Sequence, residues 1–197
     1  MSGLTFVPYL PTYIPPELCQ SVGVPTEPGR PTPDACMDIV RENIAETGVS
    51  VPVGTDPEVA AALERVVQDA EGKGIDLKIV VIGTNPPTHT PLRDVATEVG
   101  EANPGSTVLA ISPSFAGTYS AEFDRVTLEA GEDVAKTGDP VVSSQNFVSE
   151  LTTSHFAWTP FSIVLIIAVV LAVAGTRILQ NWGNRNAPSE PAVSSAN

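Results

Sequence analysis

Positive charge is scarce in this chain of 197 residues: 10 Lys+Arg stand against 23 Asp+Glu, a formal net charge of −13. Binding a phosphate backbone needs clustered Lys and Arg, so nucleic acid is excluded as a partner class. Histidine and cysteine are scarce too, with two of each. There is no His-Glu-x-x-His and no Cys-x-x-Cys, which removes the usual zinc patterns. No Gly-x-Ser-x-Gly elbow is present. Gly72 and Gly74 match two glycines of a dinucleotide loop but follow a helical pattern, not a strand, so they fail as a phosphate cradle. No metal and no cofactor is expected. Charged residues make up only 17% against 42% apolar, too little charge for a disordered acidic protein.

Charge is missing altogether from residues 151–176. Overlapping that stretch, residues 159–179, TPFSIVLIIAVVLAVAGTRIL, have the length and apolarity to cross about 30 Å of hydrocarbon as one helix. Pro160 suits a first helical turn, and Trp158 and Trp182 sit at the two ends, where indole rings favour the interface. A buried core helix would carry a polar face, which this run lacks. The 20 residues before the span hold no Lys or Arg, whereas Arg177 lies in its last residues and Arg185 follows it. The positive-inside rule therefore predicts an extracytoplasmic N-terminal domain and a short cytosolic tail, residues 180–197. The competing reading is a tail-anchored protein with a cytosolic domain, favoured by the short tail and by an N-terminus with no basic region and no long apolar run.

Residues 1–36 hold 8 of the 19 prolines and no helical or strand period. They are expected to form a disordered, Pro-rich segment outside the core, and to be dispensable for folding. Two origins stay open for them: a disordered leader, or an upstream extension of a protein starting at Met37. Cys19 and Cys36 could pair in an oxidising compartment.

The domain proper is expected over residues 37–155. MDIVRENIAETG reads as a short amphipathic helix stopped by Gly48, with a brief strand at Val49 to Val51. Asp56-Pro57-Glu58 gives an N-cap, an N1 proline and a first-turn acid. Val59, Leu63, Val66, Val67 and Ala70 then share one helix face. LKIVVI (77–82) and TVLAIS (107–112) are buried strands, joined through a helix that starts at Thr90-Pro91. Strand, helix and strand make a βαβ unit with parallel strands. A weaker strand around residues 117–121, a helix marked by Phe123, Val126, Ala130 and Val134, and a segment capped by Asp139-Pro140 complete the pattern. The fold class is α/β: a small sheet with parallel central strands, helices on both faces, then one C-terminal transmembrane helix.

The loops after the two buried strands, GTNPPTHT (83–90) and PSFAGTY (113–119), lie at the carboxyl ends of neighbouring parallel strands, where open α/β sheets bind ligands. They offer Asn85, Pro86, Pro87, His89, Ser112, Ser114, Phe115 and Tyr119. A Ser114–His89–Asp94 triad can be drawn, but Asp94 falls inside a helix and no oxyanion donors are indicated. The rim is read as a partner-binding surface, with prolines stiffening its loops and Phe115 and Tyr119 as apolar anchors. The plain alternative is that these two rings pack beneath the loop. The acids Glu122, Asp124, Glu129, Glu132 and Asp133 are read as a solvated helix face without EF-hand spacing.

The helix-strand run DPEVAAALERVVQDAEGKGIDLKIVVIG, the second unit TPLRDVATEVGEANPGSTVLAIS and the single late span resemble small single-span membrane proteins of mycolic-acid bacteria. The alternation of helix and strand is also similar to the TPM domain, an α/β module often anchored by one span. The resemblance covers residues 37–180 and is one of architecture, with no catalytic motif. It implies a non-enzymatic regulator or activator whose extracytoplasmic domain binds a Rip-type, NlpC-superfamily peptidoglycan endopeptidase during daughter-cell separation. Two other functions stay open: a TPM-type phosphatase, and a divisome scaffold acting through the tail.

Overall fold

The computed structural model describes residues 13–27, 34–153 and 158–185. Two units emerge, residues 1–153 and 154–197. Among the described residues of the first, six helices and four strands follow in the order α1 (Pro16–Ser21), α2 (Asp34–Thr47), β1 (Val49–Ser50), α3 (Pro57–Glu71), β2 (Leu77–Val81), α4 (Thr90–Ala102), β3 (Thr107–Ile111), β4 (Ala116–Ser120), α5 (Arg125–Val134) and α6 (Pro140–Thr152). The caps that the sequence indicates at Asp56 and Asp139 are in place, and Asp124 adds a third. Asp56 accepts from the main-chain N–H of Glu58, Asp124 from that of Thr127, and Asp139 from those of Val141 and Val142. Each ties down donors that a helix start leaves open. Between α2 and β1 the chain reverses through Gly48 at φ 78°, a conformation that any side chain would strain.

The strands form one sheet in the order β1-β2-β3-β4. β1 pairs with β2 and β2 with β3 in parallel, and β4 returns antiparallel to β3. Alternate residues of the central strands point to opposite faces. Val80, Ile82, Val108 and Ala110 pack with Leu18, Val40, Ile44, Leu92, Val95 and Val99, the layer of α1, α2 and α4. Leu77, Ile79, Leu109 and Ile111 pack with Leu63, Val66, Leu128, Phe147 and Leu151, the layer of α3, α5 and α6. The α/β reading, with helices on both faces of a mostly parallel sheet, is what the structure has.

One topological feature decides where a crevice opens. The steps β1 to β2 and β2 to β3 move the same way across the sheet, yet α3 lies on one face and α4 on the other. The two crossovers therefore have opposite hands, and one departs from the right-handed rule. The chain leaves neighbouring strand ends toward opposite faces, which is the condition for a ligand crevice in an open sheet.

The two sheet edges differ. Along β4 the N–H and Oγ1 of Thr118 donate to Glu132 Oε1 at 3.0 and 2.6 Å, so α5 seals this edge. Among the described residues the β1 edge has no such cover. Close approach of α4 to β4 depends on two glycines: a Cβ at Gly117 would meet Arg93 N at 2.4 Å, and one at Gly100 would meet the Tyr119 ring.

The N-terminal expectation is corrected. Of residues 1–36, the described ones do not stand outside the core. Leu18, Cys19 and Cys36 are fully buried in the α1-α2-α4 layer, and Cys19 and Cys36 are disulfide-bonded with their Cα atoms 5.0 Å apart. α2 begins at Asp34, ahead of Met37. Residues 1–12 and 28–33 lie outside the described residues.

In the second unit, α7 (Trp158–Arg185) contains an apolar stretch, Phe161–Trp182, long enough to cross a membrane. It carries large exposed apolar side chains throughout, from Phe161 to Trp182, which suits lipid and not water. The helix runs past Leu179, where the span was expected to end. Tail residues 186–197 lie outside the described residues.

Candidate functional site

The carboxyl ends of β1, β2 and β3 form a rim built around Asn85. Ser112 Oγ donates to Asn85 Oδ1 at 2.8 Å, the Ser114 N–H donates to the same oxygen at 2.9 Å, and Asn85 Nδ2 donates to Ser114 Oγ at 3.1 Å. One side chain thus ties the loop after β2 to the loop after β3. A second tie comes from α1, whose Ser21 Oγ accepts from the Gly83 N–H at 2.9 Å, and whose Ser21 carbonyl accepts from the Val53 N–H at 2.7 Å.

Two hollows flank this staple. The first is an apolar cavity of about 220 Å³ between α3 and α6, lined by Val51, Pro52, Val59, Leu63, Val81, Ile111, Pro113 and Pro140, with Thr55, Ser112 and Ser143 as its polar groups. It lies in the crevice where the β1 and β2 connections part to opposite faces. The second, of about 420 Å³, is polar and lies across the β4 edge, lined by His89, Arg93, Ser114, Phe115, Glu129, Glu132, Asp133 and Lys136. Its floor is Glu132, 6% exposed, with Arg93 Nη2 3.9 Å from Glu132 Oε2. Its mouth is neutralised locally by Lys136–Asp133 at 2.8 Å and Arg125–Glu129 at 2.7 Å.

Asn85, Pro86, Pro87, His89 and Phe115 do gather at the rim, and the His89 and Phe115 rings lie 6.4 Å apart at 59°. Tyr119 does not belong there. In the antiparallel register Ala116 faces Ile111 while Tyr119 faces Val108, near the start of β3. Its ring is partly buried against the α4 layer, over Gly100. β4 runs away from the rim, so the loop ends at Phe115 and not at Tyr119. Pro86 is buried beneath the loop, and Phe115 also packs partly against the core.

The triad drawn from sequence is not assembled. Asp94 Oδ2 accepts from the main-chain N–H of Tyr13 at 3.0 Å, Ser114 Oγ is held by Asn85, and His89 lies against Phe115. Nor is the acidic run uniformly solvated, since Glu132 is the buried edge cap of β4. The apolar cavity was missed because its lining comes from five separate segments. The signals present were a proline closing a strand at Val51-Pro52 and the tight Gly138-Asp139-Pro140 entry into α6.

A family model described as "Membrane protein Rv1476" matches residues 13–190. A curated relative of that name, from Mycobacterium tuberculosis (strain ATCC 25618 / H37Rv), is 45% identical over 190 residues, 96% of this chain and 91% of the relative. Its source agrees with the expected kinship to membrane proteins of mycolic-acid bacteria. Among solved structures, the N-terminal domain of the cg2496 protein from Corynebacterium glutamicum aligns over 53% of this chain and 78% of that chain at 13% identity. Its TM-score of 0.38 is too low to carry an argument. Length of match and identity together place this chain in the Rv1476 membrane protein family.

Proposed function

We propose that this membrane protein holds its α/β domain on the extracytoplasmic side and there binds a cell-wall peptidoglycan endopeptidase of the NlpC type, acting as its regulator in cell separation. The observation that carries the external placement is the Cys19–Cys36 disulfide, buried in the core. Disulfides persist in oxidising compartments and are rare in the cytosol. The choice of partner rests on the architectural resemblance given above. A binding role, as opposed to catalysis, is supported by the rim's chemistry: Asn85, Ser112 and Ser114 are hydrogen-bonded to one another, and the serines and His89 are not arranged as nucleophile and base.

The test is capture with the full membrane-inserted chain as bait in cells under mild detergent. Recovery of an NlpC-type endopeptidase is expected, together with increased hydrolysis of peptidoglycan when the two purified proteins are mixed. Recovery of no wall hydrolase would sink the proposal. So would phosphoester turnover by the full chain that is abolished by His89→Ala.

A further inference from the structure

The β1 edge adjoins the apolar cavity. A groove of about 340 Å³ runs along the outside of β1 between α2 and α3, and it shares Val51, Pro52 and Thr55 with the cavity. Ile79 N–H donates to the Gly48 carbonyl at 2.9 Å, so Gly48 and Ser50 face β2, and by alternation the main-chain groups of Val49 and Val51 face outward. Those of Val49 are engaged by Thr47 Oγ1, at 3.3 Å from its N and 3.2 Å from its O. Those of Val51 have no partner among the described residues. They sit where groove meets cavity. Val53, 75% exposed, forms an apolar lip beside them.

Charge narrows the occupant. The groove is lined by Glu46 and Glu64 and by no Lys or Arg, while the cavity lining has no charged residue. The polar hollow at the other edge, by contrast, is balanced by its own ion pairs. We propose that groove and cavity together bind an extended segment of a partner polypeptide, with one aliphatic side chain in the cavity, Lys or Arg against Glu46 and Glu64, and main-chain hydrogen bonds to Val51. Strand addition at an open sheet edge supplies affinity through the main chain and selectivity through the pocket. The crevice position is where α/β sheets take ligands. A cavity of this size accepts a leucine-like side chain. The site stands on its own geometry; only the identity of the polypeptide rests on the function proposed above.

The test uses the full chain in nanodiscs and a labelled probe peptide, acetyl-Lys-Thr-Leu-Thr-Lys-amide, with two controls, one carrying Ala for Leu and one carrying Glu for both Lys. The first peptide is expected to bind, and the alanine control to bind about tenfold more weakly or worse. The acidic control is expected not to bind wild type but to bind E46K/E64K, which in turn loses the basic peptide. Val59→Phe, which fills the cavity from α3, is expected to abolish binding of the basic leucine peptide. On binding, amide exchange at Val51 is expected to slow. No binding by the basic peptide, a preference that the charge swap does not reverse, or unchanged exchange at Val51 would each overturn the site. A wall endopeptidase captured equally by wild type, Val59→Phe and E46K/E64K would sink this inference and leave the proposed function standing. Peptides that bind as expected, with no endopeptidase captured, would do the reverse.

Discussion

Single residues decide how closely α4 can lie on the sheet. A Cβ at Gly117 would meet main-chain atoms of Leu92 and Arg93 at 2.6 and 2.4 Å, whereas the atoms nearest one at Gly100 belong to the Tyr119 ring, a partly exposed side chain that moves more cheaply than main chain. Gly117→Ala should therefore cost roughly 3 kcal/mol or more and Gly100→Ala roughly 1. The cost at Gly100 should also shrink in a Tyr119→Ala background, because the two groups share one space. Urea midpoints of the four proteins check this, and equal costs at the two glycines would contradict it. Glu132 supplies a second test. Glu132→Gln keeps an oxygen to accept from the N–H and hydroxyl of Thr118, so it should cost under about 1 kcal/mol, while Glu132→Ala orphans both and should cost about 2. The Arg93 contact adds little to either figure, being long and on a side chain 38% exposed. None of this was legible from the acidic run of α5, because Glu129, Glu132 and Asp133 lie within five residues of one helix and carry no mark of which one faces a strand edge.

At the scale of elements, caps and periodicity located α3, α4, α5, the start of α6 and the strands β2 and β3 within a residue or two, since those signals are local and strong. The N-terminal region misled because α1 is only six residues long, too short to show a period, and its burial comes from distant partners. Leu18 alone is worth about 2 kcal/mol of burial. The disulfide closes a separation of 17 residues, which corresponds to about 3 kcal/mol of loop entropy. A chain starting at Met37 should thus lose well over 1 kcal/mol relative to the full chain, or fail to fold. A reducing agent should lower the thermal midpoint of the full chain and leave that of a Cys19→Ser/Cys36→Ser variant unchanged. Equal midpoints for the full and shortened chains would return residues 13–36 to the status of a dispensable leader.

At the scale of the whole molecule, the compartment of the domain is the property with most consequence. If it is extracytoplasmic, alkylation of living cells under denaturing quench should find Cys19 and Cys36 oxidised, and a reporter active only in the cytosol, fused before Tyr13, should stay silent. Free thiols and an active reporter would place the domain in the cytosol and rule out an external hydrolase as partner. The charge asymmetry about the span and the disulfide are independent observations, one reading insertion and the other redox environment.

By itself the sequence determined the α/β class, the two faces of the central strands, most helix starts and the single apolar span. Each is written in neighbouring residues, as a period of 2 or 3.6, a cap, or an uncharged run. Only the tertiary structure decided which connections go to which face, and therefore where the crevice opens, because the hand of a crossover is fixed by packing and leaves no local mark. It likewise decided that Tyr119 leaves the rim, since an antiparallel return sends successive residues of β4 away from it. The pairing of Cys19 with Cys36, the sealing of one sheet edge by Glu132 and the openness of the other at Val51 belong to the same class. All depend on groups far apart in the chain meeting in space, which local chemistry permits but does not specify.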